Sequence, residues 1–170
     1  MRRLYCGGTF AFDTLQNSCL AQASQDYRSL LLGGSEHLLH SNGAIRLNAQ
    51  VEYIGPFYYE TEDMIGQDIV QCEMGMVHLC TDAIFLLDDA AGPGTICELT
   101  MASMLHKRVH IFYLRRPDNQ ETESALHTPC WYPILHSTLI NDNTHLHQCY
   151  TYPEAASQIA TLVRRWGTDG

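Results

Sequence analysis

The chain has 170 residues, of which 45% are hydrophobic and 17% are charged, and its formal net charge is −9. This length suffices for a core that needs no metal or disulfide, so we expect one domain over residues 1–170. The negative charge argues against a nucleic-acid polymer or an anionic membrane as the main partner. It does not exclude a small anionic ligand, because backbone amides at a helix start can hold phosphate.

The cysteines indicate the redox setting. There are seven, an odd number, without paired spacing. Several lie in apolar runs, where a free cysteine behaves as a small hydrophobic residue. The sequence shows neither an export signal nor an apolar run of membrane-spanning length. We therefore expect a reduced, cytoplasmic protein with no membrane partner.

Strand and helix patterns alternate along the chain and predict a parallel sheet in a single doubly wound α/β domain of the flavodoxin or Rossmann-like kind, with about five strands. The unbroken apolar run at 83–87 is typical of a central strand. In chain order, the predicted elements are a strand at 2–6, a helix at 15–32, strands at 44–47 and 51–54, a helix at 61–80, a strand at 83–87, a helix at 96–106, a strand at 109–114, a polar loop at 115–129, an edge strand at 144–151 and an amphipathic helix at 153–166.

The segment after the 83–87 strand carries the strongest functional pattern. Asp88 and Asp89 lead into the turn Gly92-Pro93-Gly94, and Glu98 is placed in the first turn of the next helix. Ligands of α/β sheets bind at the carboxyl ends of central strands, beside helix N-termini. A turn with almost no side chains lets a ligand approach the backbone. A carboxylate near a helix N-terminus is kept ionised, as a nucleophile must be.

Glu98 also has a purely structural interpretation. With Thr95 as N-cap, the segment Thr95-Ile96-Cys97-Glu98 matches a capping box, in which the glutamate only bonds back to the cap amide. The residues alone leave both interpretations open.

Glu73 is the second candidate acid. The predicted 61–80 helix has an apolar stripe that includes Ile69 and Cys80, and Glu73 falls inside it. Burying an unpaired carboxylate is costly, so Glu73 should lie at the edge of the core, either facing a pocket or bonded to a backbone or arginine group. Asp68 lies one turn earlier, off the stripe, where a solvated acid is the commoner case.

Aromatic residues follow two predicted strands and should lie on the same rim of the sheet as Glu98, where they could stack a flat ring. Core packing is the alternative for each of them. They are Tyr5, Phe10 and Phe12 around the end of the first strand, and Phe57, Tyr58 and Tyr59 after Gly55-Pro56.

A metal site is the weaker possibility. His145, His147 and Cys149 would share one face of a strand, but nine histidines are dispersed through the chain. We therefore predict no metal and no cofactor.

These residues together resemble the nucleoside 2-deoxyribosyltransferase-like superfamily, which includes deoxyribosyltransferases and nucleotide N-glycoside hydrolases. The resemblance covers roughly residues 2–114, and its most specific element is a Gly-Thr-x-x-Glu turn. The segments that carry it are Leu4-Tyr5-Cys6-Gly7-Gly8-Thr9-Phe10, Gly55-Pro56-Phe57, Thr81-Asp82-Ala83-Ile84-Phe85, Gly94-Thr95-Ile96-Cys97-Glu98 and Lys107-Arg108-Val109-His110-Ile111.

The resemblance implies a mechanism and a set of site residues. Glu98 would attack the anomeric carbon, the base would leave, and water or a second base would resolve the glycosyl-enzyme ester. Tyr5 and Glu73 would be further catalytic residues. The implied substrate-binding residues are Gly7, Gly8, Phe10, Phe57, Asp68, Asp89, Gly92, Gly94 and Thr95.

Two departures from the family pattern bear on the reaction. The acid of the helix before the Thr81–Phe85 segment is out of register, and Glu73 is the nearest candidate for it. The family's acid just ahead of the glycine is replaced by Gly92, with Asp88 or Asp89 the nearest substitute. We therefore expect hydrolysis to be favoured over transfer to a second base. The expected partner is a small nucleoside or nucleotide, and the expected assembly is a homo-oligomer.

Other interpretations of the sequence differ in the substrate or in whether the protein is an enzyme. The same turn is similar to that of phosphoribohydrolases that activate cytokinins, and Toll/interleukin-receptor-like domains that cleave NAD share the chemistry. The alternatives are therefore a deoxyribosyltransferase, an NAD-cleaving hydrolase, or a non-catalytic nucleotide-sensing domain. Gly92 favours the last.

Overall fold

A computed structural model describes residues 1–8, 44–56, 66–88, 91–114 and 131–168. Strands and helices alternate through these ranges, as the sequence predicts. The strands are β1 (Arg2–Gly8), β2 (Ile45–Arg46), β3 (Val51–Gly55), β4 (Asp82–Leu87), β5 (Arg108–Leu114) and β6 (Thr144–Cys149). The helices are α1 (Gly66–Leu79), α2 (Pro93–Met104), α3 (Trp131–Ile140) and α4 (Tyr152–Thr168).

The strands form one mostly parallel sheet with the order β2-β3-β1-β4-β5-β6. Only β2, which pairs with β3, runs antiparallel to its neighbour. With β2 set aside, the order is that of a flavodoxin-like doubly wound sheet. The expected α/β architecture is confirmed, and the two-residue β2 makes the described strands six rather than about five.

The strand order creates a switch point between β1 and β4. From β1 the chain passes to β3 on one side, and it later returns to β4 on the other side. In doubly wound sheets, the connections that leave two such strands pass to opposite faces, and a ligand-binding crevice forms at the carboxyl ends of the strands. In the β1–β4 register Gly8 pairs with Leu86, so both strands end at this crevice.

β4 is a central strand, as its apolar run predicts, and all of its residues are buried. Its side chains alternate between two cores, because successive residues of a strand point to opposite faces. Ile84 and Leu86 pack in the core on the α4 face, whereas Phe85 and Leu87 pack in the core on the opposite face.

The helices divide between the two faces in the same way. The buried face of α4 supplies Ala155, Ile159, Val163 and Trp166 to one core. The other core receives Val77 of α1, Leu99 and Ala102 of α2, and Ile134 of α3. The amphipathic pattern predicted for 153–166 is thus confirmed, since its apolar stripe covers the sheet.

Two helices depart from the predicted elements. α2 begins at Pro93 instead of about residue 96, because Gly92 is its N-cap and proline is favoured in the first helical position. α3 has no predicted counterpart, and its Pro133 lies in the first turn, where the missing N–H breaks no bond of the helix. The helix predicted at 15–32 and the loop at 115–129 lie outside the described residues.

Asp82 ties the amino edge of the sheet together. Its Oδ1 accepts hydrogen bonds from Arg2 at 2.6 Å and from Arg108 at 3.2 Å, and its Oδ2 accepts one from Thr81 at 2.7 Å. This acid is therefore occupied by structural ion pairs at the edge opposite the crevice. Within the described ranges, no helix has the length and apolar character needed to cross a membrane.

Candidate active site at the carboxyl edge

Glu98 lies against the end of β1. Its Oε2 is 3.0 Å from the position that a Cβ atom on Gly7 would occupy, and the same position would collide with the Phe85 ring. Glu98 is only 7% exposed. The missing side chain at Gly7 thus makes room for a buried carboxylate at the β1/β4 crevice.

Thr95 joins the start of α2 to the end of β1. Its hydroxyl donates a 3.2 Å hydrogen bond to the carbonyl oxygen of Gly8. Thr95 is buried, so this bond is shielded from water. It holds the helix that carries Glu98 at a fixed place above the strand that carries Gly7.

The capping-box interpretation of Glu98 is wrong. The N-cap is Gly92, without a side-chain capping bond, and Thr95 lies inside the helix. Because the helix begins at Pro93, Glu98 lies in its second turn, and the first turn contains no acidic residue. The influence of the helix dipole falls off within the first turn, so the dipole helps to ionise Glu98 less than the sequence suggested.

The turn before α2 offers an accessible backbone. Gly92 is extended, with φ −73° and ψ 163°. Among the described residues, no atom lies within 4 Å of a Cβ position on Gly92 or Gly94. The first amides of a helix have no acceptor within it, and Gly94 and Thr95 supply two of them. Open space beside such amides suits an anionic group such as phosphate.

Asp88 lies at the carboxyl end of β4, on the other face of the sheet from Glu98. It directly follows β4, is 7% exposed, and its Oδ2 accepts a hydrogen bond from the hydroxyl of Tyr152, the first residue of α4. Its carbonyl oxygen accepts the Ala91 amide at 3.3 Å, which shapes the turn towards α2. Sequence reasoning missed Tyr152. Its place on the apolar stripe of α4 was readable, but its hydroxyl contact was not.

The other predicted acids and Tyr5 lie as follows. Tyr5 is fully buried on the same face of β1 as Gly7, with its ring 6.3 Å from that of Phe85. Glu73 is half-buried on the inward stripe of α1, whereas Asp68 is exposed. The structure therefore brings Tyr5, Gly7 and Glu98 to one face of the sheet, and the site role of Glu73 stays a prediction.

Several predicted site residues lie outside the described residues. These are Phe10, Phe57 and Asp89, together with the neighbouring aromatic residues Phe12, Tyr58 and Tyr59. The turn Gly55-Pro56 is described, and it ends β3 as expected. Gly55 has a φ of +144° and packs against Met76 of α1, so it combines a glycine-favouring conformation with a close helix approach.

The histidines of β6 join a stacked group instead of a metal site. Nε2 of His147 lies 3.0 Å from Nδ1 of His110, and the His147 ring stacks on Phe112 at 4.3 Å. His145 stacks on His110 at 4.7 Å, and Trp166 meets His110 edge-on at 5.3 Å. In the part of the chain that the structure describes, no group of three or more histidine, cysteine or acidic side chains could hold a metal ion.

Burial controls the charge state of this group. Desolvation, with smaller effects from His145, His147 and Arg2, lowers the pKa of His110 to about 3. Desolvation and then His145 also lower the pKa of His147. Both side chains are therefore neutral near pH 7, and they act as packed rings.

Three of the free cysteines among the described residues lie inside the fold. Cys6, Cys80 and Cys149 are buried in the two cores, where they behave as small hydrophobic residues. Burial raises the pKa of the Cys80 thiol and of the Cys149 thiol to about 12. Both thiols are therefore protonated near pH 7.

Comparison with known proteins shows likeness at the level of the fold. No family model and no curated protein sequence matches the chain. The CMP N-glycosidase BcmB of Clostridium botulinum superposes with a TM-score of 0.55 and 12% identity over 95% of this chain and 99% of that chain. The elongation factor SelB of Methanococcus maripaludis, solved with the GTP analogue GppNHp, gives a TM-score of 0.53 and 9% identity, and this chain spans only 34% of its length.

Proposed function

We propose that this protein is an enzyme that cleaves the N-glycosidic bond of a nucleoside or nucleotide, with Glu98 as the nucleophile. The observation that carries the proposal is the buried Glu98 carboxylate against Gly7, at the switch point where doubly wound sheets bind ligands. Support comes from the likeness in fold to a CMP N-glycosidase over nearly the full length of both chains. The Gly94-Thr95-Ile96-Cys97-Glu98 motif adds to it.

The reaction proceeds in two steps. A Glu98 carboxylate oxygen attacks the anomeric carbon, and the electron pair of the breaking carbon–nitrogen bond leaves with the base. Water then attacks the anomeric carbon of the ester, its proton passes to the released base directly or through solvent, and the sugar leaves with net retention of configuration as the Glu98 carboxylate is restored. Thr95 keeps Glu98 in reach by fixing α2 on β1. Tyr5 and Glu73 orient the nucleophile or a sugar hydroxyl.

Water is the favoured acceptor in the second step. Position 92, where the resembled family carries an acid that handles the base, has no side chain here. An incoming base is therefore held less precisely than transfer requires. Where the substrate has a 5′-phosphate, the amides at the start of α2 are its binding site.

The test is a release assay. The protein is incubated with nucleosides, nucleoside 5′-monophosphates and NAD, and the free base is separated by chromatography. We expect the wild-type chain to release base and Glu98→Gln to be slower by several orders of magnitude at unchanged folding. Glu52→Gln, which loses only a surface ion pair with Arg3, is the matched control. Equal rates for Glu98→Gln and wild type would disprove the role of Glu98.

A nucleotide-binding protein without turnover is the second candidate. Gly92 favours it, because the acid that would assist the base is absent at that position. In that case nucleotides would bind to the wild-type chain and to Glu98→Gln with similar affinity, and neither would release base. The homo-oligomer also remains a proposal, and a monomeric mass by light scattering would remove it.

A further inference from the structure

Two buried carboxylates lie near the carboxyl ends of β1 and β4, on opposite faces of the sheet. Glu98 comes from α2 and reaches Gly7 on the face where Phe85 packs. Asp88 continues β4, and its partner Tyr152 packs in the core of the α4 face. The sheet edge therefore lies between the two acids.

The chemistry gives these two positions different roles. In a displacement at the anomeric carbon, the nucleophile and the leaving group lie on opposite sides of that carbon. A sugar attacked by Glu98 from the α2 side consequently directs its base towards the α4 side. Among the described residues, Asp88 is a buried acid on that side at the carboxyl edge, whereas the buried Asp82 lies at the amino edge in ion pairs with Arg2 and Arg108.

We infer that Asp88 binds the nucleobase as a hydrogen-bond acceptor and that Tyr152 positions it for this purpose; the inference rests on the proposed function. Tyr152 donates its single hydroxyl proton to Oδ2 of Asp88, which fixes the direction of the carboxylate. A carboxylate accepts several hydrogen bonds, so it can receive an N–H of the base beside the tyrosine hydroxyl.

A contact with the base can be distinguished from a contact with the sugar by comparing the binding of whole nucleotides with that of ribose 5-phosphate, which lacks the base. The probes are the four common nucleoside 5′-monophosphates and ribose 5-phosphate, titrated by calorimetry into Glu98→Gln so that nothing turns over. In that background, Asp88→Asn should weaken the tightest-binding nucleotide by about tenfold or more, because a hydrogen bond to a charged acceptor is lost. The affinity for ribose 5-phosphate should stay unchanged. Tyr152→Phe should weaken nucleotide binding in the same selective way.

Controls distinguish this contact from a structural role. Asp142→Asn makes the same chemical change on an exposed residue before β6 and should alter neither affinity. The inference is wrong if Asp88→Asn weakens nucleotide and ribose 5-phosphate binding equally, or if it weakens neither. This holds even if the wild-type chain releases base. If no monophosphate binds the Glu98→Gln parent and wild type releases no base, the proposed function fails and the inference fails with it.

Discussion

The carboxylate of Glu98 lies beside the space that a side chain on Gly7 would fill, with its Oε2 3.0 Å from that Cβ position. Gly7 on the strand leaves room, and Glu98 on the helix places a carboxylate next to that room. The arrangement needs both residues. The pair connects the end of β1 to the chemistry that we propose for α2.

Gly7→Ala should therefore damage the site. The added methyl group would displace the Phe85 ring or the Glu98 carboxylate, and overpacking of this kind costs about 1–3 kcal/mol of stability. We expect base release to fall by about tenfold or more, since small shifts of a nucleophile are costly. Gly75→Ala is the matched control on an exposed helix position with open space, and it should stabilise the fold by about 0.5–1 kcal/mol. Full activity in Gly7→Ala would argue against Glu98 acting from this position.

Gly92→Asp should shift the reaction towards transfer. The φ of −73° suits aspartate, and no described atom lies within 4 Å of the new Cβ. Aspartate is also a good N-cap, so stability should rise by a few tenths of a kcal/mol. Product analysis with an excess of a second base should show more exchanged nucleoside than in wild type. Gly92→Asn keeps the shape without the charge. If both variants leave the product ratio at the wild-type value, the role given to position 92 is wrong.

Thr95→Val should loosen α2 from β1. It removes the hydroxyl that bonds the Gly8 carbonyl and leaves that acceptor without this partner, a loss of about 1–3 kcal/mol in chemical unfolding. Base release should decrease because Glu98 is held less firmly. Thr95→Ser keeps the hydroxyl and should keep most of the activity. A Thr95→Ser variant as impaired as Thr95→Val would show that the methyl contact matters more than the hydrogen bond.

His110 should make the protein sensitive to acid. Burial lowers its folded-state pKa to about 3, whereas its ordinary value is 6.5. The unfolded chain therefore binds this proton first as the pH falls. The contribution of neutral His110 to stability is complete above pH 6.5 and is lost between pH 6.5 and about 3, at up to about 1.4 kcal/mol per pH unit.

Urea unfolding across this pH range measures the effect. His110→Gln should flatten the dependence of the unfolding free energy on pH, whatever its stability at pH 7. His78→Gln, which changes an exposed histidine at the end of α1, is the matched control. Identical slopes for wild type and His110→Gln would mean that His110 is not held neutral.

The sequence predicted those features that depend on local patterns. The apolar run of β4 and the amphipathic stripe of α4 follow from periodicity, and both were placed correctly. The start of α2 was misplaced because it depends on the backbone at Gly92 and on the preference of Pro93 for the first helical position. α3 was missed because it is apolar on most sides and shows no clear period.

The site was predicted only in part for a similar reason. Glu98 and its turn are close in sequence and could be found by motif. The contact of Tyr152 with Asp88 joins residues 64 positions apart, and the bond of His110 to His147 joins residues 37 apart. Such contacts depend on strand order and register, which no local pattern contains.

Trapping the glycosyl-enzyme tests the central claim most directly. A nucleotide with fluorine in place of the 2′-hydroxyl, which slows both steps, is mixed with the protein, and the quenched sample is measured by intact mass and peptide mapping. We predict an added mass equal to the sugar moiety on the peptide that contains Glu98, and none in Glu98→Gln. Base release by wild type with the sugar attached to another residue, or with Glu98→Gln turning over at the wild-type rate, would contradict the account.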